Sequence, residues 1–500
     1  MHDIVRVEKF SGLKICFSAY IFYKQVRKSV HQGVFTIMKI TFIGGGSLRL
    51  LPIIRGIFTE SPEVLQNGEI RLADLKTDRA QAVAEMIRNT PEYKNVNCRV
   101  SVFSEIDPAL EGTDVLYLTM AAVREPSDTQ ALFLGKEYGY ISSDQLSING
   151  AFLALRLGGF MLTLARKLEK LSPNALMLIF PNPVSVYSCM VNTYTKIRAL
   201  GICAGFNNHR WDLSRMCGRD QFDPAWDVVA AGVNHCSFIL RGTYKGEDIF
   251  DSLLPRVLTD DWKCPDDLTG KETPLLMRNA LNNLYNMFRK YKTMVFSTES
   301  DGLDHIFAES AAVTMEELIK RVSPFDPVTR KEQSQKEIEE RFAAFIELSK
   351  HPESIPWNAP GPYDSLIRAN TTDISIPILK ALSGFEKMRI VASRPNRGAV
   401  AGLPDNGALE YTMDIFKDEI TPVENQYIPS PFQGLIASLS EFQTLQADAI
   451  AQQDPAIFAA ALDAYPIHRL RPERKAFFRK MFEIYDDLDP IWKKSLDHLL

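Results

Sequence analysis

Residues 39–47 read KITFIGGGS. The first five, with three β-branched side chains and a phenylalanine, favour an extended strand. Three glycines and a serine follow at once, and behind them Leu48, Leu51, Ile54, Ile57 and Phe58 recur at helical spacing. A strand that passes through glycines into a helix lets the backbone come close to a pyrophosphate. The helix N-terminus then offers free N–H groups and a positive dipole end. Gly44, Gly45, Gly46 and Ser47 are therefore the expected dinucleotide-binding turn. A second strand over 69–75 (EIRLADL) carries Asp74 near its end, where a carboxylate can accept hydrogen bonds from ribose hydroxyls. Asp74 lies 28 residues after Gly46, against a usual spacing of about 20. Arg49 stands where the third glycine of G-x-G-x-x-G belongs. An acid at this place favours NAD over NADP, and the nearby Arg71 and Lys76 blunt that preference. The plainer alternative is a tight turn in an α/β fold that binds nothing.

Working outward, strand and helix alternate. Residues 78–89 read as a helix and 98–103 as a strand. Residues 114–120 (DVLYLTM) are apolar on both faces, as a central parallel strand must be. A long helix spans 150–171, a buried strand spans 175–180 and runs into Asn182-Pro183, and 199–205 reads as the last strand of this sheet. The pattern predicts an α/β protein with an N-terminal Rossmann-like doubly wound parallel sheet over 38–215. Residues 216–500 read as a second, α+β domain, the arrangement of lactate and malate dehydrogenase-like enzymes. In it, 227–240 can extend the sheet, 275–350 is mostly helical, and 435–500 forms helices packing back on the body. The Pro- and Gly-rich stretches 353–362 and 395–407 read as loops lining a cleft. Residues 1–37 read as an extension outside the fold, with Met38 its natural beginning; the competing reading is a targeting segment.

The 500 residues are 45% hydrophobic and 24% charged, with a net charge of −5. No block of Lys and Arg marks a nucleic-acid or anionic-membrane partner. No apolar run is long enough for a membrane helix; the nearest, 15–23, is short and flanked by lysines. Seven cysteines without framework spacing suggest free thiols and a cytoplasmic location.

Cys203 follows the apolar lead Ala-Leu-Gly-Ile, and His235 lies in Ala-Gly-Val-Asn-His-Cys, 32 residues later. That spacing matches no zinc-finger pattern. A lone buried cysteine is by default a small hydrophobe, and a lone histidine a satisfied core residue. Spacing by itself leaves the pair undecided.

Taken together, several segments resemble glycoside hydrolase family 4. They are KITFIGGGS, FPNPVSVYS around Asn182-Pro183, ALGICAG around Cys203, AAGVNHCSF around His235, RPNRGAVAGLPDNGALEY over 394–411, and a C-terminal segment with DPAIFAAALDAYPIH. The resemblance implies NAD on the Rossmann domain and a divalent ion, usually Mn2+, held by Cys203 and His235. It implies a glycosidase that oxidises C3 of the sugar, removes the C2 hydrogen, eliminates the C1 substituent, adds water and returns the hydride, unlike the usual two-carboxylate scheme. Asn182 and Asn234 are expected to bind a sugar hydroxyl or the ribose, or else to cap turns. The base is expected to be a tyrosine, with Tyr291 first and Tyr285 second. Thr298, Glu299, Ser300 and His305 are candidates for lining the sugar site.

The sequence departs from the family at two places. Ala204 stands where a polar residue usually follows the metal cysteine, so His209 becomes the candidate acid. Ile-Asn-Gly-Ala (148–151) replaces a glycine-rich turn. Phospho-sugars are therefore not indicated. The expected partner is a small-molecule substrate, a non-phosphorylated α-glycoside or a uronide, with Arg124, Arg156 or Arg210 to meet a carboxylate. A homodimer or homotetramer is expected. Two other readings stay open: a non-catalytic NAD- or sugar-binding relative, and an NAD-linked 2-hydroxy acid dehydrogenase.

Overall fold

The computed structural model describes residues 38–499 apart from 121–123, 125–126, 141–142, 204, 258–274, 296–305, 307–326, 360, 362 and 468–470, and the backbone alone at 136, 205–209, 256–257, 275–277, 279–280, 327–331, 334 and 471–472. The extension 1–37, Ala204, Thr298, Glu299, Ser300 and His305 thus lie outside the described residues, as does the side chain of His209.

The glycine turn sits where the sequence puts it. Strand β1 (Lys39–Ile43) is followed by α1 (Leu50–Glu60), β2 (Glu69–Ala73), α2 (Thr77–Arg88), β3 (Arg99–Phe103) and β4 (Val115–Leu118). Then come α3 (Ser127–Glu137), α4 (Ile148–Leu171), β5 (Leu176–Ile179), α5 (Val184–Tyr194) and β6 (Arg198–Gly201). These six strands are parallel and lie in the order β3-β2-β1-β4-β5-β6. That is the Rossmann order, whose switch point falls between β1 and β4. The strands read as unbroken apolar runs because helices cover both faces; Ile40, Phe42, Leu72, Leu116 and Leu178 have no exposed surface.

The sheet does not end at β6. After α6 (Gly205–Cys217) come β7 (Trp226–Val233) and β8 (Cys236–Tyr244), then α7 (Leu275–Tyr291), the two-residue β9 (Met294–Val295) and α8 (Pro327–Lys350). They are followed by β10 (Met388–Pro395), β11 (Ala408–Phe416), α9 (Gln433–Gln452), α10 (Pro455–Ala464) and α11 (Arg471–Ile484). Strand β10 pairs antiparallel with β6, β11 with β10, β7 with β11, β8 with β7 and β9 with β8. Thus 199–205 is not the last strand of its sheet, and one sheet crosses both halves of the sequence. The loop 395–407 also differs from expectation. Ser393 faces Gly201 in an antiparallel pair, so the chain from Pro395 onward leaves the sheet at the amino edge of the parallel strands, away from the switch-point crevice.

Helix α4 is, among the described residues, the one long and apolar enough to cross a membrane by length and composition. It packs against α5 and α9, and 72% of its most apolar window is buried in protein, so here it is a core helix.

The glycines of the turn are required by packing as well as by any ligand. A Cβ on Gly45 would lie 2.7 Å from Leu72 Cα, a backbone atom that cannot move aside. Gly45→Ala should therefore cost about 1–3 kcal/mol, the range for overpacking a close contact. A lowered urea midpoint with an unchanged slope is the expected readout. A midpoint equal to that of the wild type would mean the turn is looser than described.

Candidate functional site

At the end of β1, Gly44 takes φ +87°. The N–H groups of Gly44 and Gly45 both donate to Ala73 O, at 3.0 and 2.9 Å. Asp74 closes the turn from the other side: its two carboxylate oxygens accept from Gly46 N and Lys76 N, each at 2.8 Å. The carboxylate expected to hold a ribose is thus also the clamp of the glycine turn. Two backbone bonds use about half of its acceptor capacity, so lone pairs remain for a ligand. The neighbouring cations are committed elsewhere. Arg71 pairs with Glu69 at 3.0 Å, and Lys76 and Arg79 meet Glu339 of α8 at 3.8 and 3.0 Å. The turn and its acid fit an unphosphorylated adenosine ribose better than one carrying a 2′-phosphate.

Cys203 lies two residues past the end of β6, half-buried. Ile202 N donates to Ile179 O at 2.8 Å, which keeps the chain alongside β5 as far as Cys203. Gly201 allows α5 to start against β6; a Cβ there would lie 2.6 Å from Val184 O. The second partner comes from the β7–β8 hairpin. Val233 faces Cys236, so the turn is the two residues Asn234-His235. His235 takes φ +67°, a left-handed conformation uncommon for any residue but glycine. It is buried, with 5% of its surface exposed. Two strands, β10 and β11, separate β6 from β7 in the sheet. Even so, the hairpin turn brings His235 Nε2 to 3.4 Å from Cys203 Sγ.

That distance suits a shared cation. With zinc-like bonds of about 2.3 Å to sulfur and about 2.1 Å to nitrogen, ligand angles of about 90 to 109° put the two atoms roughly 3.1 to 3.6 Å apart. The donor set, one sulfur and one imidazole nitrogen, suits a divalent transition metal. No third His, Cys, Asp or Glu joins the pair among the described residues. Without a cation the same contact is a thiol–imidazole hydrogen bond.

Asn182 follows β5 at the same edge, since Ile179 faces Gly201 in register. Its amide is engaged: Nδ2 donates to Asp144 Oδ2 at 2.6 Å and Oδ1 accepts from Gln145 Nε2. Asn234 is fully buried and donates through Nδ2 to Glu410 Oε2 at 2.7 Å. Its Oδ1 finds no hydrogen-bond partner among the described residues. The departure at 148–151 is accommodated locally. Ser147 caps α4 by accepting from Asn149 N, and Gly150 lies so close to Gln145 O that a Cβ there would come within 2.6 Å.

Tyr291 lies toward the Leu240 end of the β9–β8 ladder and not toward the turn that carries His235. In the β9–β8 ladder Met294 faces Ile239 and Val295 faces Phe238, antiparallel. Residues before Met294 therefore run away from the Asn234-His235 turn, and Tyr291 packs edge-on against Phe432 at 5.5 Å. Tyr285 is buried, with Arg289 over its ring. Arg124 is bound to Asp487 at 2.7 Å, and Arg156 to Asp128 at 3.1 Å and Asp487 at 2.9 Å, so neither stands as an uncommitted partner for a sugar carboxylate. Arg210 is half-buried, and burial lowers its pKa.

Two acids escaped the sequence reading. Asp144 lies in the polar run SSDQLS before α4, where it looks like a spare helix cap. Glu410 is a buried acid in the largely apolar strand ALEYTMDIF, whose other acid, Asp414, is paired with Lys387 and Arg389, and a charge in such a strand is itself a signal.

The strand order and the clamped glycine turn define a Rossmann-like α/β protein, with a cysteine–histidine contact at the carboxyl end of β6. The model of the family 4 glycosyl hydrolases matches residues 39–218, and that of the family 4 glycosyl hydrolase C-terminal domain matches 230–467. The chain belongs to family 4 of the glycosyl hydrolases, enzymes that cleave glycosidic bonds in small-molecule substrates. An alpha-galactosidase of Bacillus subtilis is 23% identical over 432 residues, 85% of this chain and 92% of the relative. An alpha-galacturonidase of Thermoanaerobacter italicus is 21% identical over 470 residues, 89% and 96% of the two chains. A solved 6-phospho-alpha-glucosidase from gut microorganisms, in complex with NAD and Mn2+, superposes with a TM-score of 0.72 at 15% identity, covering 91% of this chain and 99% of its own.

Proposed function

We propose that this chain hydrolyses a non-phosphorylated α-glycoside by elimination and hydration across C1 and C2 of the sugar, with NAD and a divalent cation, manganese first among them, as cofactors. The reading rests on Cys203 Sγ and His235 Nε2, 3.4 Å apart at the sheet edge that also carries the glycine turn. Relatives named alpha-galactosidase and alpha-galacturonidase, and a solved relative carrying NAD and Mn2+, support it. When bound, NAD+ supplies a hydride acceptor for C3 and the cation a Lewis acid at O2 and O3, which makes the C2 hydrogen removable.

The chain's own residues do the holding and the proton transfer. Cys203 and His235 hold the cation, and two protein ligands leave positions for sugar oxygens. Gly44 to Ser47 and Asp74 hold the dinucleotide. Asn182 orients a sugar hydroxyl with the donor and acceptor capacity its two present bonds leave over. Asp144, fixed by Asn182, is our candidate to take the C2 proton. As that proton leaves, its electron pair forms the C1–C2 double bond and the C1–O bond breaks. The leaving oxygen takes up a proton, water then adds, hydroxyl to C1 and hydrogen to C2, and the hydride removed from C3 returns to it, so that there is no net redox change. The pairing of Arg124 and Arg156 with acids favours a neutral sugar over a uronide.

The test is hydrolysis in heavy water. A panel of p-nitrophenyl glycosides, uronides and 6-phosphoglycosides is offered with NAD+, Mn2+ and a reducing agent. The expected result is cleavage of a non-phosphorylated α-glycoside and one deuterium at C2 of the released sugar. An unlabelled sugar would rule out the elimination. Net NADH accumulation would mark a dehydrogenase, and binding without turnover across the panel a non-catalytic protein.

A further inference from the structure

The row of residues across the sheet just before the cysteine–histidine contact is unusual in its chemistry. Gly201 of β6 faces Ser393 of β10, Ser393 faces Glu410 of β11, and Glu410 faces Gly232 of β7. Glycine, serine and glycine accompany one glutamate; Gly201 stands two residues before Cys203 and Gly232 three before His235. Glu410 has 2% of its surface exposed. A buried carboxylate is costly unless it is hydrogen-bonded, and a strand centre accepts an apolar residue more cheaply. The bonds Glu410 makes are specific to the hairpin. Oε2 accepts from Asn234 Nδ2 at 2.7 Å, and Oε1 accepts from Ser237 Oγ at 3.2 Å. The two donors flank His235, one on each side of the turn. His235 itself stands in a left-handed conformation, φ +67°, within the two-residue turn, so any group that holds its neighbours also sets the direction of its ring.

We propose that Glu410 is a positioning residue, a clamp across the β7–β8 turn that holds His235 Nε2 at Cys203 and so preorganises the cation site. The proposal rests on reading Cys203 and His235 as cation ligands. It goes beyond that reading by assigning the geometry of the site to a carboxylate outside the proposed ligand pair. Residues that orient metal ligands typically change metal affinity by about 10–100-fold when removed.

The experiment is Mn2+ binding to the metal-stripped full chain by titration calorimetry, with NAD+ binding measured beside it. Co2+ serves as a second probe, its thiolate charge-transfer band reporting whether Cys203 is a ligand. Glu410→Ala should weaken Mn2+ binding by about 10–100-fold and shrink the cobalt band, while NAD+ affinity stays within about twofold. Glu410→Gln keeps a carbonyl oxygen for Asn234 and should recover most of the affinity. If Glu410→Ala does not fold, Asn234→Ala severs the clamp from the other side and should weaken Mn2+ binding by about tenfold. Wild-type Mn2+ affinity and an undiminished cobalt band in the folded variants would overturn the clamp alone. A wild-type protein that binds no Mn2+ would instead overturn the metal reading, and the clamp with it.

Discussion

Cys203→Ser is expected to lower metal-dependent glycoside cleavage by on the order of 10³-fold, the rate equivalent of several kcal/mol of Lewis-acid stabilisation. The substitution is nearly isosteric, so packing at the end of β6 should survive. What changes is the donor. A serine hydroxyl stays neutral near pH 7, whereas the ligand form of cysteine is the thiolate. The cation would lose its anionic partner and keep only the imidazole of His235. NAD+ affinity should be unchanged, because the glycine turn and Asp74 clamp each other without help from Cys203. Parallel measurements of turnover at saturating Mn2+ and of NAD+ affinity check this. Wild-type turnover in the variant would remove Cys203 from the cation site.

Arg55→Ala should cost about 3–5 kcal/mol of stability, the range for removing one partner of a buried, hydrogen-bonded ion pair, with the partner Glu92 itself partly exposed. Arg55 lies on α1 with 1% of its side chain exposed. Its guanidinium meets Glu92 at 2.6 Å. It also donates to the carbonyls of Trp357 and Ile367 and to Asn358 Oδ1, at 3.0, 2.5 and 3.1 Å. One side chain thereby fastens the segment around 357–367 to the Rossmann half. Removing it strands Glu92 and two carbonyls and leaves a cavity. Urea unfolding followed by circular dichroism would measure the loss; a change under about 1 kcal/mol would mean that water replaces the guanidinium at little cost.

The Rossmann half was legible because its strands are short apolar runs, and an all-apolar strand between helices has few alternative readings. Strand β1 falls on the residues expected of it, and β6 ends at Gly201 where the sequence suggested 205. Strands β10 and β11 were not legible as sheet members, since nothing local in MRIVASRP says that its partner is β6. The same blindness applies to the cysteine–histidine contact. Cys203 and His235 meet across two intervening strands, which no spacing rule encodes, and only the family resemblance joins them. It could not place Tyr291, because helix periodicity gives a face and not the direction in which the next strand runs. Asp144 and Glu410 were passed over for opposite reasons: one sits where polar residues are ordinary, the other where its oddness went unweighed.

The insertion of β10 and β11 between β6 and β7 bears on the order of events during synthesis. Gly201 finds its sheet partner in Ser393, far later in the chain. The first six strands can pair soon after they leave the ribosome, yet β6 keeps an open edge, a row of unpaired amides that invites the wrong neighbour, until most of the polypeptide has been made. The hairpin bearing His235 has no strand to lie against on its β7 side before then. A nascent chain of this protein can therefore have a nucleotide turn long before it has a reaction centre, and the interval is when association with other chains is the greatest hazard.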